Sequence, residues 1–183
     1  MKVVPLDLAG VLLIEPPVFR DARGFFLETY HASRYAEYGL TLPFVQDNHS
    51  YSIQKTLRGL HTQVRKPQGK LIRVLEGEIF DVAVDLRQNS KTFGQHLGVT
   101  LASESFCQLY LPPGFAHGFC VLSPVAHVEY KCTELYDPPD ECTLLWSDPE
   151  LAIPWPIRDP LLSEKDRRGL SLQTLMQRLA QGL

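Results

Sequence analysis

The residues able to do chemistry crowd into one stretch, Thr56 to Val74 (TLRGLHTQVRKPQGKLIRV), where one histidine, two glutamines, three arginines and two lysines stand among apolar residues of strand character. In an extended segment the period of two puts Leu60 and Thr62 on one face and His61 with Gln63 on the other. Lys66-Pro67-Gln68-Gly69 reads as a turn, after which Lys70, Ile72 and Val74 share a face opposite Leu71, Arg73 and Leu75. Read as a hairpin, the stretch lets Lys70 and His61 meet and point into one cavity. Rim charges on an ordinary sheet account for the same residues equally well at this stage.

Several chemistries can be weighed against this stretch. No GxGxxG or GK[ST] loop follows a strand, and no GxSxG occurs. Cys107, Cys120, Cys132 and Cys142 are too far apart for a CxxC pair, and none has an activating neighbour in sequence. His117, in Pro112-Pro113-Gly114-Phe115-Ala116-His117, offers a second imidazole beside His61. Lys70, however, stands where a carboxylate ligand would be useful, so two imidazoles and a cation make a poor divalent site and no metal is expected. Proton transfer next to a carbonyl fits better. His61 is the natural base, Lys70 the cation for an enolate oxygen, and Tyr130 a donor from the opposite side. Tyr130 also reads as a core tyrosine with its hydroxyl tied to backbone, and the residues alone favour that reading.

The elements that must position these groups are mostly strands. Candidates are Val11 to Ile14, Phe25 to Tyr30, Phe44 to Ser50, Ile79 to Leu86, Thr92 to Leu101, Phe106 to Leu111, Phe119 to Leu122 and Val125 to Leu135. Pro112 to Phe119 reads as a turn, and Ala32 to Tyr38 as a short helix ended by Gly39. Six prolines from Pro138 to Pro160 imply a loop-rich wrap. Only the end is helical in pattern: Ser163-Glu164-Lys165-Asp166 resembles a capping box, and Leu172, Leu175, Met176 and Leu179 recur at helical spacing. Many short strands with one terminal helix predict an all-β antiparallel barrel or jelly roll. With 183 residues, 44% of them hydrophobic, the chain fits a single domain over 1–183. A net charge of -3 without a basic block argues against nucleic-acid or anionic-membrane partners. Met1-Lys2 leads into apolar pieces broken by Pro5, Asp7 and Gly10, unlike a signal peptide. Together with thiols read as reduced, this predicts a cytoplasmic protein.

A series of ordered motifs spans nearly the whole chain. They are Phe19 to Phe26 (FRDARGFF), Gln46 to Ser50 (QDNHS), Leu57 to His61 (LRGLH), Gln68 to Leu71 (QGKL), Phe80 to Arg87 (FDVAVDLR), Pro113 to Phe119 (PGFAHGF), Tyr130-Lys131 and Leu162 to Asp166 (LSEKD). In this order and spacing the chain resembles the dTDP-4-dehydrorhamnose 3,5-epimerase family, cofactor-independent nucleotide-sugar isomerases of cupin fold. The resemblance implies a cupin-type antiparallel jelly-roll β-barrel with a short C-terminal helix and a role in dTDP-rhamnose biosynthesis for cell-envelope polysaccharide. It implies His61 as general base paired with Asp166, Tyr130 as general acid and Lys70 near the keto oxygen, with no cofactor. Arg23, Glu28, Gln46, Asn48, Arg58, His117, Glu141 and Lys165 match positions that contact the nucleotide sugar, and Tyr136 matches an aromatic that stacks on thymine. Guanidinium forks at Arg23 and Arg58 suit a pyrophosphate. The implied substrate is dTDP-4-dehydro-6-deoxy-D-glucose. The implied assembly is a homodimer with exchanged N-terminal strands, so that the Phe25 to Tyr30 region supplies residues in trans. Thr62 departs from the aromatic common after the base, and the Lys66-Pro67-Gln68 loop varies in length among relatives. Alternatives are therefore a single-site (3- or 5-) epimerase of a related nucleotide 4-ketosugar, or a non-catalytic sugar-nucleotide-binding cupin.

Overall fold

The computed structural model describes the backbone of residues 1–181 and side chains as far as Arg178. Two antiparallel sheets face each other. One holds β1 (Lys2–Pro5), β2 (Leu12–Glu15), β10 (Gln108–Leu111), β7 (Lys70–Glu76), β12 (Val125–Cys132) and β5 (Gln46–Ile53), in that order. The other runs β13 (Glu141–Thr143), β6 (Leu57–Gln63), β11 (Phe115–Val121), β8 (Glu78–Asp85) and β9 (His96–Ala102). A separate hairpin pairs β3 (Val18–Asp21) with β4 (Gly24–Leu27). Among the described residues there are three α-helices, α1 (Ala32–Ala36), α2 (Glu164–Arg167) and α3 (Leu172–Gln181). This is the all-β jelly roll of cupin type that the sequence predicts, with helix at the C-terminal end. Among the described residues no helix is long and apolar enough to cross a membrane.

The alternation of each strand explains the packing. Ile79 and Ala83 of β8 join Ile72 and Val74 of β7, Phe119 of β11 and Val128 of β12 in the apolar cluster between the sheets. Val82 and Val84 point the other way and would face water, but Leu151, Leu172 and Leu175 cover them. β8 is thus apolar on both faces because both are covered, as in any doubly packed strand. Leu172, Leu175 and Met176 pack as their helical spacing predicts; the side chain of Leu179 lies outside the described residues.

Several expectations are corrected. β6 and β7 do not form a hairpin, since β6 pairs with β11 and β13, and β7 with β10 and β12. The Lys66 to Gly69 segment carries the chain from one sheet to the other. Pro112 to Phe119 is a turn only as far as Gly114 (φ 95°), because Phe115 already pairs with Asp85. β12 stops at Cys132 rather than Leu135, where Thr133 turns to exchange hydrogen bonds with Gly69: its N donates to Gly69 O (3.0 Å) and its Oγ1 accepts from Gly69 N (2.7 Å). β9 begins at His96, not Thr92, because the Ser90 and Thr92 hydroxyls both donate to buried Asp85 and hold residues 90–92 in a loop. β4 ends at Leu27 and leaves 28–30 irregular.

Candidate active site

His61 and Arg58 stand three residues apart on β6, and strict alternation would aim them at opposite faces. The pairing with β11 resolves this. His61 lies opposite His117 and Arg58 opposite Phe119, so β6 advances three residues while β11 advances two. The extra residue is a β-bulge, and it turns both side chains to the same side. Glycine makes the bulge possible. Gly59 has φ 119°, and a Cβ on it would lie 2.6 Å from Gly118 Cα. Such an approach admits no side chain on that strand.

Between the sheets lies a cavity of about 530 Å³. Eleven of the thirteen residues that the sequence assigns to a site line it: His61, Lys70, Tyr130 and Asp166, together with Gln46, Asn48, Arg58, His117, Tyr136, Glu141 and Lys165. The two sheets supply different groups. His61 and His117 come from one, while Lys70 and Tyr130 come from β7 and β12 of the other. Lys70 and His61 thus do share a cavity, but from facing walls instead of neighbouring strands.

The His61 ring is bonded through Nε2 to Asp166 Oδ1 at 2.6 Å. Asp166 also keeps the capping role read from its motif: its backbone N–H donates to Ser163 Oγ (3.1 Å) at the start of α2. Ser163 takes its half of a capping box, while the Asp166 carboxylate reaches His61. Burial acts to raise the Asp166 carboxyl, but the hydrogen bond and charge of His61, the Ser163 hydroxyl and the Lys165 charge outweigh it, and the carboxyl is held below its ordinary range. An ionised carboxylate accepts, so Nε2 carries the hydrogen and Nδ1 keeps the lone pair.

Opposite, Lys70 is buried, and that burial lowers its pKa against the raising influence of Cys132, Asp81 and Glu141. Burial likewise raises the Tyr130 phenol, which therefore stays protonated and able to donate at neutral pH. Glu141 organises the mouth. It accepts from Lys165 Nζ at 2.8 and 2.9 Å and from the Tyr136 hydroxyl at 3.0 Å. Arg58 is anchored by Ser52 Oγ (2.9 Å) and the Tyr51 carbonyl (3.2 Å). Gln46 Nε2 donates to Asn48 Oδ1 (2.9 Å), and Gln46 Oε1 accepts from Tyr136 N (2.8 Å). Among the described residues no three His, Cys, Asp or Glu side chains converge as a metal-ligand set.

Arg23 and Glu28 are not at this cavity. Arg23, 90% exposed at the turn of the β3–β4 hairpin, pairs with Asp21 (2.7 Å), and Glu28 pairs with Arg34 (2.8 Å). Thr62 does not line it either: its Oγ1 bonds the Gln63 carbonyl and its strand partner is Cys142. Sequence reasoning passed over Ser50, Gln68 and Phe119, which line the cavity, and Asp81, which bonds His117. The signal for Asp81 was a carboxylate set between Ile79 and Ala83 at a core-facing position of an apolar strand.

Residues 5–174 match the model of the family described as dTDP-4-dehydrorhamnose 3,5-epimerase. The chain belongs to that family. A Pseudomonas aeruginosa relative named dTDP-4-dehydrorhamnose 3,5-epimerase is 53% identical over 171 residues, covering 92% of this chain and 94% of its own. The crystal structure of dTDP-6-deoxy-D-glucose-3,5-epimerase from Legionella pneumophila, in complex with dTDP-4-keto-L-rhamnose, superposes with a TM-score of 0.94 at 47% identity, covering 97% of this chain and 96% of that one. The family also holds a single-site member: a Streptomyces niveus relative named dTDP-4-dehydrorhamnose 3-epimerase is 41% identical over 174 residues, 94% of this chain and 84% of its own. As an epimerase-family cavity, the arrangement of a carboxylate-held imidazole facing a neutral phenol and a buried amine suits moving protons at carbon beside a carbonyl.

Proposed function

We propose that the chain epimerises dTDP-4-dehydro-6-deoxy-D-glucose at carbons 3 and 5 to give dTDP-4-dehydro-L-rhamnose, with His61 as base and Tyr130 as acid. The observation that carries this reading is the placement of His61, held by Asp166 of α2, on one sheet and of Tyr130 with Lys70 on the facing one, around a single cavity. In a gluco-configured chair, the hydrogens on carbons 3 and 5 are both axial on one face, and the keto group at carbon 4 acidifies both. One base on one side and one acid on the other therefore serve both inversions in turn.

Each step has a residue. His61 Nδ1 takes the proton while Asp166 stabilises the imidazolium that forms. The electron pair moves onto the carbon-4 oxygen, where the Lys70 ammonium meets the enolate charge in a low-dielectric site. Tyr130 then delivers a proton to the opposite face of the carbon. At the mouth, Arg58 and Lys165 suit the diphosphate and Tyr136 the thymine ring. Gln46, Asn48 and His117 supply hydrogen bonds to the sugar nucleotide. The buried position of Thr62, off the cavity, leaves the double epimerase as the better supported reading over a single-site enzyme.

The reading extends to the assembly. Arg23 and Glu28 lie away from their own cavity, on a segment whose Phe19, Phe25 and Phe26 are largely exposed. We infer a homodimer in which this segment reaches the partner's cavity. The four cysteines are all free thiols, which supports a reducing, cytoplasmic setting.

The test is incubation with dTDP-4-dehydro-6-deoxy-D-glucose in heavy water, with an enzyme-free control. Deuterium at both carbons 3 and 5, with NMR of an L-lyxo product, is expected. Deuterium at one carbon alone would assign a single-site epimerase. Exchange no faster than the control would overturn the assignment.

A further inference from the structure

The core-facing positions of β8 run Ile79, Asp81, Ala83 and Asp85, all fully buried, and Asp85 at the end of the strand is satisfied by Arg87, Ser90 and Thr92. Ile79 and Ala83 join the apolar cluster between the sheets, and Asp81 interrupts it. A carboxylate at such a position costs several kcal/mol unless it is paired and hydrogen-bonded. Both of its oxygens lie close to His117 Nε2, at 3.0 and 2.9 Å. With Asp81 ionised, Nε2 must carry the hydrogen, and Nδ1 is the ring's remaining nitrogen. His117 itself lines the cavity, stands opposite His61 in the β6–β11 register, and has its ring centroid 6.5 Å from that of Tyr130.

Lys70 faces this pair from the other sheet. The titratable groups around its amine come from every neighbouring element: Tyr130 and Cys132 on β12, His61 on β6, His117 on β11, Asp81 on β8, Glu141 on β13 and Asp166 on α2. Glu141 is held by Lys165 and Asp166 by His61. Among the described residues Asp81 has only an imidazole for a partner, and its charge favours the Lys70 ammonium.

We propose that Asp81 is a positioning residue of the reaction, fixing the tautomer and ring orientation of His117 on the cavity wall and balancing the Lys70 ammonium from the facing sheet. The inference rests on the epimerase reading above. A hydrogen-bonded carboxylate behind an imidazole sets which nitrogen is presented to a bound molecule. A negative charge at the same depth as an enolate-stabilising cation keeps that cation charged between turnovers.

The test is Asp81→Asn, which preserves shape and removes the charge. The expected result is a kcat lower by about ten- to hundredfold with KM within about threefold of the parent. The alkaline limb of log kcat against pH also moves to lower pH, because the Lys70 ammonium loses its proton earlier without the charge of Asp81. A folded variant whose alkaline limb stays in place overturns the proposal, whatever its kcat. Should the variant not fold, nitrogen-15 NMR of the intact protein decides, with the His117 signals assigned by His117→Asn. A hydrogen on Nε2 is expected, and a ring whose Nε2 is bare overturns the proposal. Absence of turnover in the parent protein would sink the epimerase reading instead, and the tautomer measurement would still decide the pairing.

Discussion

At the scale of single residues, the cavity trades stability for chemistry, and the trade has a sign that pH reveals. Burial of Lys70 lowers its pKa below the ordinary 10.5, so the folded protein holds that proton less tightly than the unfolded chain. Between the lowered value and 10.5 the unfolded state binds more protons, and this group makes stability rise with pH. Lys70→Met should therefore raise the unfolding midpoint at neutral pH, and the gain should shrink as pH climbs through that window. The same substitution should cost about a hundredfold or more in turnover, since it removes the cation proposed to meet the enolate charge. Thermal unfolding at several pH values beside a single-turnover assay checks both halves. Asp166 has the opposite sign. Its carboxyl is held low, so it contributes stability that is fully present above its ordinary 3.8 and is lost as pH falls through its folded value. The stability difference between the parent and Asp166→Asn should close in that acid range, while turnover of the variant should be reduced about a hundredfold or more at neutral pH.

At the scale of elements, the position of Arg58 depends on a bulge that alternation cannot reveal. Its cause is the contact of Gly59 with Gly118, and a Cβ on Gly118 would lie 2.5 Å from the Arg58 carbonyl. Gly59→Ala should destabilise the fold by at least ~2 kcal/mol, since both its φ and the clash oppose it. It should also weaken dTDP binding by turning Arg58 away; denaturant midpoints and titration calorimetry measure the two effects. Strand identity was legible in the sequence where β-branched apolar residues cluster, as along Ile79 to Leu86. Sheet membership was not legible. Adjacent strands β6 and β7 looked like a hairpin because the turn residues Pro67 and Gly69 stand between them, yet their partners are β11, β13, β10 and β12, far along the chain. The pairing of His61 with Asp166, 105 residues apart, came from resemblance and not from spacing. Asp81 went unassigned because its meaning depends on His117, 36 residues away and diagonal to it across two strands.

At the scale of the whole molecule, the β3–β4 hairpin packs Phe25 against Phe106 while leaving Phe19 and Phe26 62% and 70% exposed. An apolar hairpin that also carries Arg23, a cation suited to a diphosphate, fits a docking segment better than a solvated one. The claim that it serves a partner's cavity can be separated from the claim that the protein merely dimerises. Arg23→Ala and His61→Ala would each impair every site in their own homodimers. Co-refolded in equal amounts, half of the dimers would be mixed. If Arg23 acts in trans, one site of each mixed dimer pairs an intact His61 with the partner subunit's intact Arg23, and the other carries both defects. Turnover should then recover to about a quarter of the parent value. If Arg23 acts within its own chain, every site of the mixture still lacks one of the two groups, and turnover stays at the level of the separate variants. A mixture that forms mixed dimers by native mass spectrometry yet shows no recovery would return Arg23 to its own subunit, and the exposed phenylalanines would then describe an interface that contributes no residue to the chemistry.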